Sequence, residues 1–271
     1  MQIKQKFGPW AIITGASSGI GKGFCEQLAK QGLNLVLVAR NESVLTILAH
    51  QIQAQYGVEC KVLALDLTQP QAITRIEKSI QGLDVGLLVS NAGAGHMGAF
   101  NKVALADLKN TLHLNTTTHL ELSHFFVQHL LKQNKKGGIL LLSSVACFQG
   151  VPLSGNYSAA KAYVLNLGEA LNFELKNKGI NISVLLPGPT STPGFHDRSD
   201  IDFNNMPMKP MPVAACVDEG LKALMRNKPV QVAGRMNRFM GFMGKYLLSR
   251  KMNTRMWGAI MLKMAPPSLQ P

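Results

Sequence analysis

Six short apolar runs, each followed by a longer segment whose apolar residues recur at helical spacing, constrain the fold of this chain more than any other feature. The runs lie at residues 10–14, 34–39, 61–65, 85–90, 139–143 and 181–186 and are rich in β-branched residues and Leu. Continuous apolar runs of this length are typical of parallel strands buried on both faces. In the first intervening segment, Phe24 and Leu28 mark one helix face. The alternation therefore predicts an α/β protein with a doubly wound parallel sheet.

Length and composition favour a single domain with an appended C-terminal segment. The chain has 271 residues, 46% of them hydrophobic, and no Pro-, Gly- or Ser-rich linker divides it. One sizeable core can therefore be buried. No acidic residue follows Glu219, whereas ten Lys and Arg do, and eleven of the thirteen Met lie from Met206 onward. We therefore expect a sheet domain over residues 1–234 and a basic, Met-rich helical extension over residues 235–271.

The cysteines, the histidines and the net charge indicate where the protein is located and what it binds. The four cysteines are far apart and form no CxxC pair, so we expect reduced thiols in a cytoplasmic protein. The histidines show no metal-binding spacing, and no metal is expected. The first residues lack a signal peptide, and no uncharged run resembles a membrane span. The net charge of +13 suits nucleic acid or a membrane surface. Few aromatic residues and no base-reading motif accompany the basic tail, which argues against nucleic acid.

A glycine-rich turn follows the first predicted strand. In the stretch TGASSGIG, Gly15, Gly19 and Gly21 are spaced as GxxxGxG at the start of the first predicted helix. Glycine lets the backbone turn tightly and approach a pyrophosphate, which the N–H groups of a helix N-terminus bind. The position of this turn between a strand and a helix predicts dinucleotide binding.

The end of the second strand indicates which dinucleotide is bound. A carboxylate there would accept hydrogen bonds from a free ribose 2′-hydroxyl, whereas an arginine would meet a 2′-phosphate. Here the strand ends in Ala39 and Arg40, and the first acidic residue is Glu42. The alternative is a solvated surface arginine; we favour NADP(H).

Three motifs together resemble the short-chain dehydrogenase/reductase family, whose members have a Rossmann-like fold. They are TGASSGIG, the NAG stretch at residues 91–93 and the YSAAK stretch at residues 157–161. The likeness covers about residues 8–193, with mild departures at Ser90 and Ala160. It implies catalytic roles for Asn115, Ser144, Tyr157 and Lys161, with Ser143 the less favoured serine. It also implies a cofactor site formed by Gly15, Ser17, Ser18, Gly19, Ile20, Gly21, Arg40, Asp66, Asn91, Tyr157, Lys161, Pro187, Gly188 and Thr192.

The chemistry of these residues agrees with that likeness. Tyr157 and Lys161 are four residues apart and share one helix face. A nearby ammonium favours phenolate, so we expect Lys161 to lower the phenol's pKa, which is ordinarily near 10. Tyr157 would protonate a carbonyl oxygen as hydride reaches the carbon, while Ser144 holds that oxygen.

Lys161 and Asn115 are expected to assist this proton transfer. Lys161 would also hold the nicotinamide ribose, and Asn115 would order a proton-supplying water chain. The small neighbours at 158–160 are expected to let cofactor and substrate come close, and Cys147 is expected to line the pocket.

The C-terminal part bears on the substrate. The family likeness places a substrate loop at about residues 194–228. Beyond it, Met236, Met243 and Leu247 recur at helical spacing among basic residues. These helices could cover the enzyme's own core, form a homodimer or homotetramer interface, or contact the inner face of a membrane. The tail also resembles that of bacterial relatives of steroid and long-chain ketoacyl reductases, a likeness that is fainter than that of the catalytic motifs. This resemblance favours an apolar substrate.

Two functions remain open from the sequence. One is an NADP(H)-dependent oxidoreductase that interconverts a carbonyl and a secondary alcohol on a lipophilic substrate. The other is a non-catalytic, redox-sensing NADP(H)-binding module with a partner- or membrane-binding tail. The complete set of four catalytic side chains favours the enzyme, because a sensor needs no path for protons.

Overall fold

Seven parallel strands form the centre of the molecule in a computed structural model that describes residues 2–197, 201–202, 206 and 208–271. Their order across the sheet is β3-β2-β1-β4-β5-β6-β7. The strands are β1 Trp10–Thr14, β2 Asn34–Ala39, β3 Cys60–Ala64, β4 Val85–Ser90, β5 Gly137–Leu142, β6 Ile180–Leu186 and β7 Val230–Val232. The order runs in opposite directions from β1 and β4, so the carboxyl ends of these two strands flank a crevice.

Helices cover both faces of the sheet. They are α1 Ile3–Phe7, α2 Gly19–Lys30, α3 Glu42–Tyr56, α4 Ala72–Ser79, α5 Leu105–Leu112, α6 Thr118–Lys132, α7 Gly155–Leu175, α8 Pro193–His196, α9 Val213–Met225, α10 Arg235–Phe242 and α11 Arg250–Met264. A π-helical turn, His113–Thr117, joins α5 to α6, and a second, Met243–Leu247, follows α10. Short 3-10 turns include Val145–Phe148, directly after Ser144.

Each face of the sheet has its own apolar core. Phe24 and Leu28 of α2 pack on one face with Leu221 of α9. Phe126 of α6 and Val164 of α7 pack on the other face. Because both faces are covered, the strands carry apolar residues in continuous runs, which is the pattern that predicted them.

The predicted fold class is confirmed: the molecule is a single α/β domain with a doubly wound, Rossmann-like parallel sheet. The six predicted strands are present, with ends shifted by at most two residues, and β7 adds a seventh strand at the edge of the sheet. Helix α1 was not expected. It buries Phe7 against Gly138 of β5, and a five-residue helix is too short to show a helical period.

The C-terminal extension folds against the domain as helices α10 and α11. Gly241 approaches the ring of Phe148, and Gly258 approaches Pro152. The Asn253 side chain donates to Gln149 Oε1 at 3.2 Å. These contacts cover the segment that follows Ser144. The substrate loop expected at 194–228 stays a prediction, because residues 198–200, 203–205 and 207 lie outside the described part.

The close approach of α7 to the sheet generates a stability prediction. A Cβ at Gly168 would overlap the side chain of Val184 and lie 3.1 Å from Leu141 Cδ1, whereas a Cβ at Gly155 in the same helix meets nothing within 4 Å. We expect Gly168→Ala to lower the free energy of unfolding by about 1–3 kcal/mol through overpacking. Gly155→Ala should leave it unchanged or raise it, since alanine favours helix. Urea denaturation measures both, and equal effects would contradict this account of the packing.

Candidate active site

One cleft of about 1400 Å3 opens at the carboxyl ends of β1 and β4. Fifteen of the predicted site residues line it: Gly15, Ser17, Ser18, Gly19, Ile20, Arg40, Asp66, Asn91, Asn115, Ser144, Tyr157, Lys161, Pro187, Gly188 and Thr192. Gly21 lies outside the lining. A Cβ there would overlap the Gly15 carbonyl oxygen and lie 2.6 Å from Asn91 Nδ2. Gly21 therefore lets α2 pack tightly behind the turn.

The glycine turn is fixed by Thr14, which the sequence did not single out. The Thr14 hydroxyl oxygen accepts the N–H groups of Asn91 at 2.9 Å and Ala92 at 3.0 Å. The Asn91 side chain donates in return to the Thr14 carbonyl at 2.9 Å. These bonds tie the ends of β1 and β4 together at the base of the cleft. A buried threonine at a strand end, directly before the glycine turn, was the available signal.

Arg40 and Asp66 lie at one end of the cleft. Asp66 Oδ1 accepts the N–H of Thr68 at 2.9 Å and its hydroxyl at 2.8 Å. The Thr68 N–H holds the pKa of Asp66 below its ordinary value, and the Arg40 charge adds to this effect. Arg40 itself is exposed, so its guanidinium is accessible to an anionic ligand.

Ser144 and Tyr157 meet at the centre of the cleft. Ser144 ends the extended segment after β5, and its hydroxyl accepts the Ala146 N–H at 3.2 Å. The same hydroxyl donates to the Pro187 carbonyl at 3.5 Å, and it lies near enough to the Tyr157 phenol to lower the phenol's pKa. Ser143, by contrast, is buried and donates to the Lys161 carbonyl at 2.7 Å. The two adjacent serines therefore differ, since Ser143 supports α7 and Ser144 faces the phenol.

Lys161 does not act on the phenol as the sequence argument expected. Its ammonium lies 5.7 Å from the centre of the Tyr157 ring and donates to the Leu142 carbonyl at 2.9 Å. Burial raises the pKa of Tyr157, and the nearby Ser144 hydroxyl opposes this rise only in part. The expected lowering of the phenol's pKa by Lys161 is therefore not found in this state, because desolvation by burial dominates and raises the pKa of Tyr157.

Asn115 lies in the π-helical turn between α5 and α6, and its side chain is fully buried. Its Nδ2 donates to the carbonyls of Ala94 at 2.6 Å and Thr111 at 2.8 Å. Among the described residues, its Oδ1 has no hydrogen-bond partner. A Cβ at Gly93 would lie 2.7 Å from this oxygen and 3.2 Å from Lys161 Nζ. An acceptor and a cation therefore face the same small gap.

Cys147 and the small residues that follow Tyr157 lie outside the lining of the cleft. Ser158 and Ala160 are buried, and Ala159 is exposed. None of them lines the cleft. The Ser158 hydroxyl accepts the Val151 N–H at 3.3 Å, so small side chains let α7 pack on the segment after Ser144. Cys147 also lies outside the cleft lining, and burial raises the pKa of its thiol to about 12. The expectation that Cys147 lines the pocket is therefore wrong, whereas the expectation that the small residues 158–160 let cofactor and substrate come close stays a prediction.

Comparison with known proteins identifies the family. Residues 9–201 match the family model for short chain dehydrogenases. The chain belongs to the short chain dehydrogenase family. This confirms the family resemblance and shows that the chain is an oxidoreductase, of a family that binds a nicotinamide cofactor and transfers hydride between CH–OH and carbonyl groups.

Individual relatives agree with the predicted relation to steroid and ketoacyl reductases. The chain is 31% identical over 247 residues to a 7beta-hydroxysteroid dehydrogenase of Collinsella aerofaciens, covering 88% of this chain and 90% of the relative. It is 34% identical to the very-long-chain 3-oxoacyl-CoA reductase-A of Danio rerio, covering 68% of this chain and 59% of the relative. A short-chain dehydrogenase from Sphingobium yanoikuyae, solved in complex with NADPH, superposes with a TM-score of 0.77 at 33% identity, covering 87% of this chain and 92% of that chain.

The cleft of this dehydrogenase fits a nicotinamide dinucleotide. Gly19 has φ +55° and begins α2 beside the turn, which leaves backbone N–H groups at a helix N-terminus for a pyrophosphate. Thr192 caps α8 and approaches the open side of Gly19, since a Cβ there would lie 3.2 Å from Thr192 Cγ2. The loop after β6 thus faces the glycine turn. Among the described residues, no group of three or more His, Cys, Asp or Glu could hold a metal ion.

Another part of the cleft wall was missed by the sequence analysis. It combines apolar and polar side chains from the segments 93–97 and 102–115: Met97, Val103, Leu114, His96, Asp107, Asn110 and Thr111. The Ser154 hydroxyl donates to the His96 carbonyl at 2.9 Å, and the Gly98 N–H donates to the Leu153 carbonyl at 2.9 Å. These bonds hold the wall against the start of α7. No local motif marks such residues, because loops from distant segments bring them together.

Burial of Lys161 generates a pH-dependent prediction. Burial lowers the pKa of Lys161 from 10.5 to about 8. The folded state therefore binds fewer protons than the unfolded state between these values, and stability rises with pH there. Relative to Lys161→Met, the native chain should gain about 2–3 kcal/mol of unfolding free energy between about pH 7 and pH 10. Urea denaturation at several pH values measures the difference, and parallel curves for the two chains would contradict the predicted shift.

Proposed function

We propose that this chain is an NADP(H)-dependent carbonyl reductase that acts on a lipophilic ketone or, in reverse, a secondary alcohol. The observation that carries the proposal is the meeting of Ser144 and Tyr157 in the cleft, with Lys161 and Asn115 facing the gap behind them. When bound, the cofactor supplies or receives hydride at the substrate carbon. Because this set forms a path for protons, it favours the enzyme over a redox-sensing module.

The phenol of Tyr157 serves as the acid in reduction. Its raised pKa keeps it protonated near neutral pH, so it can donate to a carbonyl oxygen that becomes an alkoxide. The Ser144 hydroxyl holds the same oxygen. The phenolate that remains is stabilised by the Lys161 ammonium once the cleft is occupied.

The gap at Gly93 gives that phenolate a route back to its acid form. We infer a water that donates to Asn115 Oδ1 and accepts from Lys161 Nζ, because Oδ1 lacks a partner among the described residues and both atoms lie close to Gly93. A buried water that satisfies two such groups is common in protein interiors. We infer that it passes protons between solvent and Lys161 while Tyr157 is restored.

The substrate end of the cleft suits a bulky ligand with an apolar body and polar substituents. Met97, Val103 and Leu114 offer apolar surface, and His96 and Asn110 offer hydrogen bonds. The tail borders this end, since the Ala99 N–H donates to the Leu269 carbonyl at 2.8 Å. We propose that residues 235–271 act as a cover for the substrate, in a cytoplasmic homodimer or homotetramer.

Replacing Tyr157 with Phe should remove the transferable proton while keeping the ring. We expect turnover with NADPH and a bulky ketone, followed at 340 nm, to fall by about 10²-fold or more. The dissociation constant for NADPH should stay near its native value. A control, Tyr163→Phe on the exposed side of the same helix, should leave both unchanged. Full activity in Tyr157→Phe would mean that another group supplies the proton.

Arg40 should decide between the two nicotinamide cofactors. A charge-assisted bond to a 2′-phosphate contributes roughly 1.5–3 kcal/mol, so Arg40→Ala should weaken NADPH about tenfold or more and NADH little. Arg75→Ala removes an arginine outside the cleft lining and serves as the control. The dissociation constants are measured by titrating each cofactor into proteins that also carry Tyr157→Phe, so that turnover does not consume the cofactor. Equal dissociation constants for NADPH and NADH in the native chain would overturn the NADP(H) assignment.

A further inference from the structure

The tail presents an apolar face that the domain does not cover. Six large apolar or aromatic residues are each more than half exposed: Met236, Phe239, Phe242, Tyr246, Leu247 and Met252. The opposite side of α10 packs on the domain, where Asn237 contacts Gly188 and Gly241 contacts Phe148. The helix is therefore firmly seated with its apolar residues turned outward. We call these six residues the tail face.

Five of the six residues of the tail face lie along α10 and the π-helical turn after it, and Met252 lies in α11. Met236, Phe239 and Phe242 are spaced three residues apart, which places them side by side on a helix. The rings of Phe242 and Tyr246 lie 5.1 Å apart between centres. A surface of this kind on a soluble protein marks an interaction site.

Basic residues accompany the tail face. Residues 235–271 contain seven Lys and Arg and no acidic residue. All seven are exposed: Arg235, Arg238, Lys245, Arg250, Lys251, Arg255 and Lys263. Arg238 also pairs with Glu219 of the domain at 2.7 Å. The Lys245 ammonium lies 5.2 Å from the centre of the Tyr246 ring, so charge and apolar surface occupy one region. This combination is typical of helices that lie in the plane of an anionic membrane surface.

We propose that the tail face docks on the surface of an anionic lipid bilayer. Phe239, Phe242 and Leu247 would enter the boundary between headgroups and acyl chains, and the accompanying basic residues would contact lipid phosphates. The docking is peripheral. Within the described residues, no helix combines the length and hydropathy that a membrane crossing requires.

Charge argues against a second copy of the chain as the occupant. A two-fold contact through the tail face would bring basic residues beside it, such as Lys245, towards the same residues of its partner. Residues 1–234 also carry more Lys and Arg than Asp and Glu, so a head-to-tail contact would bring together two parts of net positive charge. An anionic bilayer complements the charge of the tail and its apolar residues together.

Binding to vesicles tests the proposal without reference to reductase activity. The native chain is mixed with vesicles of phosphatidylcholine alone and with vesicles that also contain phosphatidylglycerol, and the bound fraction is measured by flotation. We expect binding to the anionic vesicles that weakens as salt rises. The double variant Phe239→Ser/Phe242→Ser should lower the partition coefficient roughly tenfold or more, because two exposed rings lose their insertion.

Matched controls separate the tail face from general properties of the chain. Ile47→Ser/Phe173→Ser removes similar exposed apolar surface elsewhere and should bind vesicles as the native chain does. Arg250→Gln/Lys251→Gln should weaken binding more than Lys30→Gln/Lys78→Gln, although both lose the same charge. Unchanged thermal unfolding midpoints show that the variants fold.

Several results would overturn the proposal that the tail face docks on a membrane. Absence of binding to anionic vesicles at low salt, or equal effects of tail and control variants, would overturn the proposal. So would a Phe239→Ser/Phe242→Ser variant that binds vesicles normally but sediments as a smaller species than the native chain, since the tail face would then be a subunit interface. A reductase assay that failed in every variant and in the native chain would refute the proposed function alone.

Discussion

The hydroxyl of Thr14 is the contact on which the active site depends. It accepts two N–H groups from the chain that leaves β4, and it thereby sets the distance between the two strands at which the sheet order reverses. Gly21 permits this arrangement, since any side chain there would collide with the Gly15 carbonyl. The cleft is therefore a consequence of close backbone packing at the reversal point, and the side chains that line it are placed by the sheet.

Burial of charge is the cost of this site. Lys161 is almost completely buried, and its ammonium is held by the Leu142 carbonyl. Desolvation works against both the ammonium and the phenolate, so it lowers the pKa of Lys161 and raises that of Tyr157. The two shifts move the pKa values of the two groups apart, so in this state the phenol of Tyr157 holds its proton more firmly than the ammonium of Lys161 does. The buried ammonium lowers the stability of the fold below about pH 8.

Sequence reasoning found the sheet and most of the cleft because both rest on local patterns. The strands are runs buried on two faces, and residues such as Gly15, Tyr157 and Lys161 belong to contiguous motifs. It failed where the outcome depends on what packs against a residue. The small side chains at 158–160 were assigned to the pocket, yet they serve the contact of α7 with the segment after Ser144. The direction of the Tyr157 pKa shift depends on burial, which no spacing reveals.

The tail illustrates the same limit. Its helical spacing was visible in the sequence, but the periodic apolar residues could equally have faced inward. The structure divides them: Met261 and Met264 of α11 are buried, whereas Met236 and Met252 are exposed. Contacts of Gly241, Asn253 and Leu269 hold the tail on the segments after Ser144 and before α5, which frame the cleft. The outward residues are consequently carried on a rigid base, so that whatever contacts them acts on a surface continuous with the wall of the active site.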